Sequence, residues 1–140
     1  MAVSAVFGIA SGACGLTRET DMGVTGIGGI FFRSRDPDGL KAWYATHLSV
    51  GAGEWGVWNP EAGPSVFAPF AADTDYFPGD RQWMLNLRVE GLDALLDALR
   101  SAGIEVITKA EWNDPAVGRF ARIHDPEGNP VELWEPPSQS

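Results

Sequence analysis

Apolar and polar residues alternate most regularly near the end of the chain, on both sides of the turn Asp125-Pro126-Glu127-Gly128. In such a turn Asp accepts a backbone hydrogen bond, Pro fixes the first corner and Gly tolerates the exit. The flanking runs at residues 120–124 and 131–134 therefore predict a β-hairpin with two different faces. The apolar face would carry Ile123, Val131 and Leu133, and the other face Arg122, His124, Glu132 and Trp134.

Apolar residues recur at helical spacing in two other stretches. The first predicted helix opens at Asp36-Pro37, with Asp as the N-cap, and buries Leu40, Trp43, Tyr44 and Leu48. The second has the apolar stripe Leu92, Leu95, Leu96 and Leu99, and it ends at Gly103. Each helix follows a predicted strand and precedes further strands.

The predicted strands complete a repeated order of elements. They cover residues 27–33, 54–58 and 65–70 in the first half, and residues 82–89, 104–108, 119–124 and 131–134 in the second. The order βαβββ thus occurs twice, with a displacement of about 55 residues between the helices. Each unit is too small to bury its own sheet well, so the two must share one core.

We therefore expect an α+β fold, in which two βαβββ modules curve around a shared cleft with the helices outside. The modules span about residues 25–80 and 81–136 of one domain, between an N-terminal extension (1–24) and a tail (137–140). By alternation, the predicted ligand-binding residues of the cleft are Phe31, Arg33, Met84, Asn86, Arg122, His124, Glu132 and Trp134, with Arg88 on the same face.

Composition and charge narrow the classes of partner. The 140 residues carry a net charge of −9 and a pI near 4.5, which argues against nucleic acid or an anionic membrane. The single Cys14 cannot form an internal disulfide, so a cytoplasmic location is expected. No basic residue precedes Arg18, unlike a signal peptide, and translation could start at Met1 or at Met22.

The repeated order and the closing residues 125–135, Asp-Pro-Glu-Gly-Asn-Pro-Val-Glu-Leu-Trp-Glu, resemble the vicinal oxygen chelate superfamily. That group includes glyoxalase I, extradiol dioxygenases, fosfomycin-resistance enzymes and bleomycin-resistance proteins. The resemblance covers about residues 25–136. It implies a fold more specifically than a function, because this fold hosts several chemistries.

In the enzymes of that family a divalent metal is held by three or four side chains in the cleft. The resemblance matches Glu132 to the carboxylate ligand of the last strand. The first-strand positions fall on Gly29 and Met84, and the remaining carboxylate position falls within residues 67–70, where no ligand stands. With one ligand of the set present, we predict no metal and no cofactor.

The roles of individual polar residues stay open at this point. Glu132 could contact a ligand or could be a structural carboxylate paired with Arg122, Arg88 or His124. His124 could be a hydrogen-bond partner of Glu132 or half of a metal site. His47 could interact with the helix dipole at the C-terminal end of the first helix. Arg119, after Gly118, could clamp an anion or be a surface arginine at a strand end.

Three functions follow from this pattern. The first is metal-independent binding of a small molecule in an aromatic cleft by a glyoxalase/bleomycin-resistance-like protein. The alternative is a divalent-metal-dependent lyase, isomerase or dioxygenase, and the third is a non-catalytic interaction module of antitoxin type. We also expect a homodimer, for which Trp55, Trp58 and Trp112 could supply an apolar patch.

Overall fold

The computed structural model describes residues 22–138. The predicted N-terminal extension lies outside these residues as far as residue 21, and so does Cys14. The predicted tail is described only to residue 138. Within the described range the fold is α+β, with two α-helices and one three-stranded sheet. No helix in this range is long and apolar enough to cross a membrane.

The elements follow one another in a simple order. Helix α1 spans Pro37–Leu48, strand β1 Leu85–Arg88, helix α2 Leu92–Ser101, strand β2 Arg119–His124 and strand β3 Pro130–Glu135. Two single 3₁₀ turns lie at Glu54–Gly56 and Ala110–Trp112. The sheet order is β1-β3-β2, in which β1 runs parallel and β2 antiparallel to the central strand β3.

The closing hairpin forms with the predicted faces. Ile123 pairs with Val131 and Arg122 with Glu132 across strands β2 and β3. Ile123, Val131 and Leu133 are fully buried in the main core, which both helices cover. Phe120 and Trp134 form a second, smaller apolar cluster on the other side. One face of the hairpin therefore belongs to the main core, and the opposite face is available for a functional site.

Both predicted helices form, and their ends follow the predicted signals. The Asp36 carboxylate caps α1 by accepting a 3.1 Å bond from the amide of Gly39, and Pro37 is the first helical residue. Helix α2 buries Leu92, Leu96 and Leu99 and is followed by Gly103 at φ +81°. Capping and apolar periodicity were sufficient to predict these segments because they are local properties of the chain.

The strands of the first half differ from the prediction. No strand forms at residues 27–33 or 65–70, and residues 54–56 make a 3₁₀ turn. In the second half, residues 104–108 keep only one bridge, from Ile107 to Arg122. A strand exists only when a neighbour accepts its backbone hydrogen bonds, and residues 27–33 have no such neighbour among the described residues.

The Asp-Pro-Glu-Gly turn joins the hairpin to the first half of the chain. The Asp125 carboxylate accepts hydrogen bonds from the buried Tyr44 hydroxyl (2.7 Å) and from the amide of Glu127 (2.9 Å). The Glu127 carboxylate accepts from the Ser34 hydroxyl (2.6 Å) and the Arg35 amide (2.9 Å). Helix α1 is thereby attached to the hairpin at both its start and its middle.

Candidate functional site

Glu132 lies at the centre of the hairpin's second face, where its carboxylate is buried and hydrogen-bonded. The Tyr76 hydroxyl donates to one carboxylate oxygen, and the Asn86 side-chain amide donates to the other at 2.7 Å. Burial raises the pKa of Glu132, although both hydrogen bonds and the charge of Arg122 act in the opposite direction. Burial is also the first cause that raises the pKa of Tyr76, and the Glu132 charge adds to it.

Arg122 stands beside this pair and is held in place by its surroundings. Its backbone exchanges hydrogen bonds with Ile107 (2.8 and 2.9 Å). The guanidinium carbon lies 5.1 Å from the ring centroid of Tyr76 and 5.4 Å from that of Trp112. One terminal nitrogen donates to the Tyr76 carbonyl at 3.0 Å. Arg122 is therefore oriented before any ligand arrives.

The Arg122 Nε is buried and makes no hydrogen bond with any described residue. The side chain as a whole is only 6% exposed. An unsatisfied buried donor costs about 1–3 kcal/mol, more when it is charged. Among the described residues, this nitrogen is the buried polar side-chain atom of the face that has no hydrogen-bond partner.

A pocket of about 510 Å³ opens at this point between the 74–79 loop and strand β2. One wall is the loop itself, which contributes Tyr76, Phe77 and Pro78. The opposite wall is formed by Ile107, Lys109, Trp112, Arg122 and His124. Volume and lining are in the ordinary range for a site that holds a small organic molecule.

Five of the eight predicted site residues lie in three environments. Arg122 and His124 line the pocket, while Asn86 and Glu132 form the adjacent hydrogen-bonded pair. Trp134 stacks on Phe120 and donates its ring nitrogen to the Val117 carbonyl at 2.9 Å.

The remaining three predicted residues do not line this pocket. Met84 is half-buried just before β1. Phe31 and Arg33 are exposed in the segment that forms no strand, and Phe31 is 96% exposed. Alternation placed them in the cleft only on the assumption that residues 27–33 form a strand.

Tyr76 and Trp112 are two of the pocket residues that were not predicted as site residues. Tyr76 lies between the predicted strands at residues 65–70 and 82–89, and Trp112 was expected to be an exposed patch residue. Trp112 instead is half-buried, with its ring centroid 6.2 Å from that of Tyr76. Aromatic residues clustered in loops next to a polar strand face were the available signal, because loops carry binding residues disproportionately.

The contacts of three polar residues bear on the roles that the sequence left open for them. The Arg88 guanidinium donates to the carbonyls of Pro64 (2.5 Å) and Glu61 (2.6 Å), so it is engaged away from Glu132. Arg119 pairs with Asp93 at 2.6 Å, as a surface arginine at a strand end would. No hydrogen bond or ion pair joins His124 to Glu132 in the described range.

The residues present do not fit the metal centre that the family's enzymes hold. Within residues 22–138, no three His, Cys, Asp or Glu side chains are grouped so that they could bind a metal ion. Both carboxylate oxygens of Glu132 already accept hydrogen bonds from Tyr76 and Asn86. Gly29 offers no side chain and Met84 offers a soft thioether, a poor ligand for most catalytic divalent ions.

Two of the solved structures that are similar to this chain come from Streptomyces sp. CB03234. TnmS3, an antibiotic-binding protein, is 24% identical with a TM-score of 0.52, covering 82% of this chain and 98% of that one. A glyoxalase/bleomycin resistance protein is 26% identical with a TM-score of 0.37, covering 71% of this chain and 90% of that one.

No protein-family model matches the chain, and the search of curated proteins gave no significant match. The likeness to TnmS3 shows that the two proteins share a fold, which is consistent with the predicted resemblance to the vicinal oxygen chelate superfamily.

Proposed function

We propose that this protein binds a small organic molecule, without a metal ion, in the pocket between the 74–79 loop and strand β2. The single observation that carries the proposal is a 510 Å³ pocket with aromatic walls and the pre-oriented, incompletely satisfied Arg122 at its base. Aromatic area supplies affinity in such a site, and a few convergent polar groups supply orientation.

Binding, as opposed to catalysis, agrees with the contacts of the polar groups. Glu132 lies opposite Arg122 across strands β2 and β3, and Tyr76 and Asn86 occupy both of its carboxylate oxygens. A carboxylate used in this way stabilises the pocket wall more readily than it transfers protons to a bound molecule. The neighbour TnmS3 is described as antibiotic-binding, which suggests antibiotics as the first compounds to screen.

Thermal melting with a panel of aromatic antibiotics tests the proposal. A ligand that binds the folded protein raises its melting temperature in proportion to the logarithm of ligand excess. Replacement of Trp112 by Ala should abolish the shift, since its ring forms one wall of the pocket. Trp83→Ala is the matched control, because Trp83 is 76% exposed and does not line the pocket.

The outcome against the proposal would be an equal shift for the wild type and for folded Trp112→Ala, which would place the ligand elsewhere. Metal independence has a separate measurement. We expect the purified protein to carry less than about 0.1 equivalent of Zn, Ni, Fe or Mn, because a catalytic ion usually needs three protein ligands. Elemental analysis near one equivalent, lost in Glu132→Ala, would contradict it.

The proposal includes a cytoplasmic homodimer. A single cysteine in the whole sequence supports the location. Exposed apolar residues of the first half support the assembly, among them Phe31 and Trp55, which are 96% and 94% exposed.

A further inference from the structure

Resting on the proposed pocket, we propose further that its ligand is an aromatic anion, whose carboxylate or phenolate is recognised by Arg122 while its ring lies between the aromatic walls. The inference concerns the sign of the ligand's charge, which the proposed function leaves open. It is carried by the charges that line the pocket and by the unsatisfied donor of Arg122.

The pocket has the opposite charge balance from the rest of the chain. The whole sequence has 19 acidic and 10 Lys or Arg residues. Two positively charged side chains, Lys109 and Arg122, line the pocket together with His124, against one carboxylate, Asp75. A concave, partly apolar surface focuses the field of such charges, so an anion is attracted there from an otherwise acidic surface.

Arg122 is suited to hold the anion because its donors are fixed and not fully used. The Tyr76 and Trp112 rings lie on the guanidinium, and the Tyr76 carbonyl takes one of its N–H groups. The buried Nε has no acceptor among residues 22–138. A ligand oxygen that accepts from Arg122 adds a charge-assisted hydrogen bond without the cost of ordering a long side chain.

Glu132 does not neutralise this charge by direct contact. No ion pair within 4.0 Å joins Glu132 to Arg122 among the described residues. Tyr76 and Asn86 direct their donors to the Glu132 oxygens, away from a ligand. A basic ligand would therefore meet the positive charges of Arg122 and Lys109, and the one carboxylate of the lining, Asp75, lies in the exposed part of the 74–79 loop.

Three probes of the same size separate the possibilities: 2-naphthoate, 2-naphthalenemethanol and 2-naphthylmethylammonium, titrated calorimetrically at pH 7.5. We expect naphthoate to bind about 10- to 150-fold more tightly than the alcohol, the value of a hydrogen bond to a charged group. The ammonium compound should bind more weakly than the alcohol. Arg122→Gln should remove the preference, so that this variant binds naphthoate no more tightly than it binds the alcohol.

Two further variants serve as graded controls. Lys109→Gln changes an exposed residue at the pocket, and it should weaken naphthoate by about two- to fivefold. Arg100→Gln removes the same charge from the exposed surface of α2, where Arg100 forms an ion pair with Asp97 at 3.7 Å. This variant should change naphthoate binding by less than about twofold. These two variants test the inference even if Arg122→Gln does not fold.

The inference is overturned if the alcohol or the ammonium compound binds as tightly as naphthoate, or if a folded Arg122→Gln protein keeps the preference. It is overturned equally if Lys109→Gln and Arg100→Gln weaken naphthoate to the same extent. Each of these results leaves the proposed function intact if Trp112→Ala still abolishes binding. Absence of binding by all three probes would count against the pocket itself.

Discussion

The two halves of this chain have the same predicted order of elements and different structures. Helices α1 and α2 both pack on the same sheet, but all three strands of that sheet come from residues after 84. The corresponding apolar residues of the first half, such as Ile27, Ile30 and Phe32, are more than half exposed. The second half thus supplies the core, and the first half contributes a helix to it.

The difference teaches what alternation can and cannot predict. Alternating apolar residues describe one strand, whereas a sheet requires a second strand that accepts its hydrogen bonds. Strand β3 has such partners on both sides, β1 and β2. Residues 27–33 were also predicted to form a strand, and no described residue pairs with them. Exposed apolar segments of this kind mark surfaces that another molecule can cover.

The largest expected effect concerns the homodimer, in which a second copy of the chain would cover these exposed apolar residues. If a second copy packs on the first half, light scattering at tens of micromolar should give twice the 15.0 kDa of one chain. A dimer that persists at about 10 μM requires a Kd near 1 μM, or about 8 kcal/mol of association. Phe31→Asp should dissociate it, because Phe31 is 96% exposed in the single chain.

Ala98→Asp is the matched control, since it adds the same charge to the exposed side of α2 and should leave the mass doubled. A wild-type monomer at these concentrations would contradict the homodimer. A dimer that both variants leave intact would place the interface away from Phe31.

The next effect compares the two halves by the same kind of truncation. Leu133 is fully buried in strand β3, so Leu133→Ala should cost about 2–5 kcal/mol of unfolding free energy. Phe31→Ala removes a larger side chain, yet in dilute, monomeric protein it should change stability by less than about 0.5 kcal/mol. Urea denaturation measures both values, and similar losses would show that the first half has a packed core of its own.

Local signals predicted more of this structure than long-range ones did. The N-cap at Asp36, the stripe on α2 and the Asp-Pro-Glu-Gly turn depend on neighbours within a few residues, and each is present. On the candidate site, alternation placed Arg122 and His124 on the correct face of β2. Tyr76 and Trp112 reach that face from irregular segments, whose position depends on contacts that no periodicity encodes.

A smaller effect tests how the first half is attached to the second. The buried Tyr44 hydroxyl donates to the Asp125 carboxylate, so Tyr44→Phe should cost about 1.5–3 kcal/mol, as expected for a hydrogen bond to a charged group. Ser34→Ala removes the hydroxyl that donates to Glu127 at a partly exposed site, and it should cost less than about 1 kcal/mol. Thermal or urea unfolding of both variants gives the comparison, and the reverse order would mean that the Ser34 end of α1 is the principal attachment.

The smallest effect distinguishes two carboxylates of the hairpin by the sign of their pH dependence. Burial raises the pKa of Glu132 above its ordinary value of 4.5, so the folded protein holds that proton more tightly than the unfolded chain. The stability that Glu132 contributes is therefore complete below pH 4.5 and is lost as pH rises through the folded pKa. Glu132→Gln should remove this loss, so the variant gains on the wild type as pH increases.

Glu127 has the opposite sign. The Ser34 hydroxyl, then the Arg35 amide, lower its pKa below 4.5, so its contribution is complete above pH 4.5 and is lost as pH falls through the folded pKa. Glu127→Gln should therefore be less stable than the wild type above pH 4.5, and the difference in unfolding free energy should decrease in acid. Urea unfolding from pH 3 to pH 8 gives the difference between each variant and the wild type.

Near neutral pH we expect the Glu132→Gln difference to stay below about 1 kcal/mol, because Gln can still bond to Tyr76 and Asn86. A large loss of stability in Glu132→Gln would instead mean that the negative charge is needed to balance Arg122. In that case the pocket base would be a neutral pair, and its attraction for an anion would be correspondingly weak. Parallel slopes for the two variants would refute the opposite roles assigned to the two carboxylates.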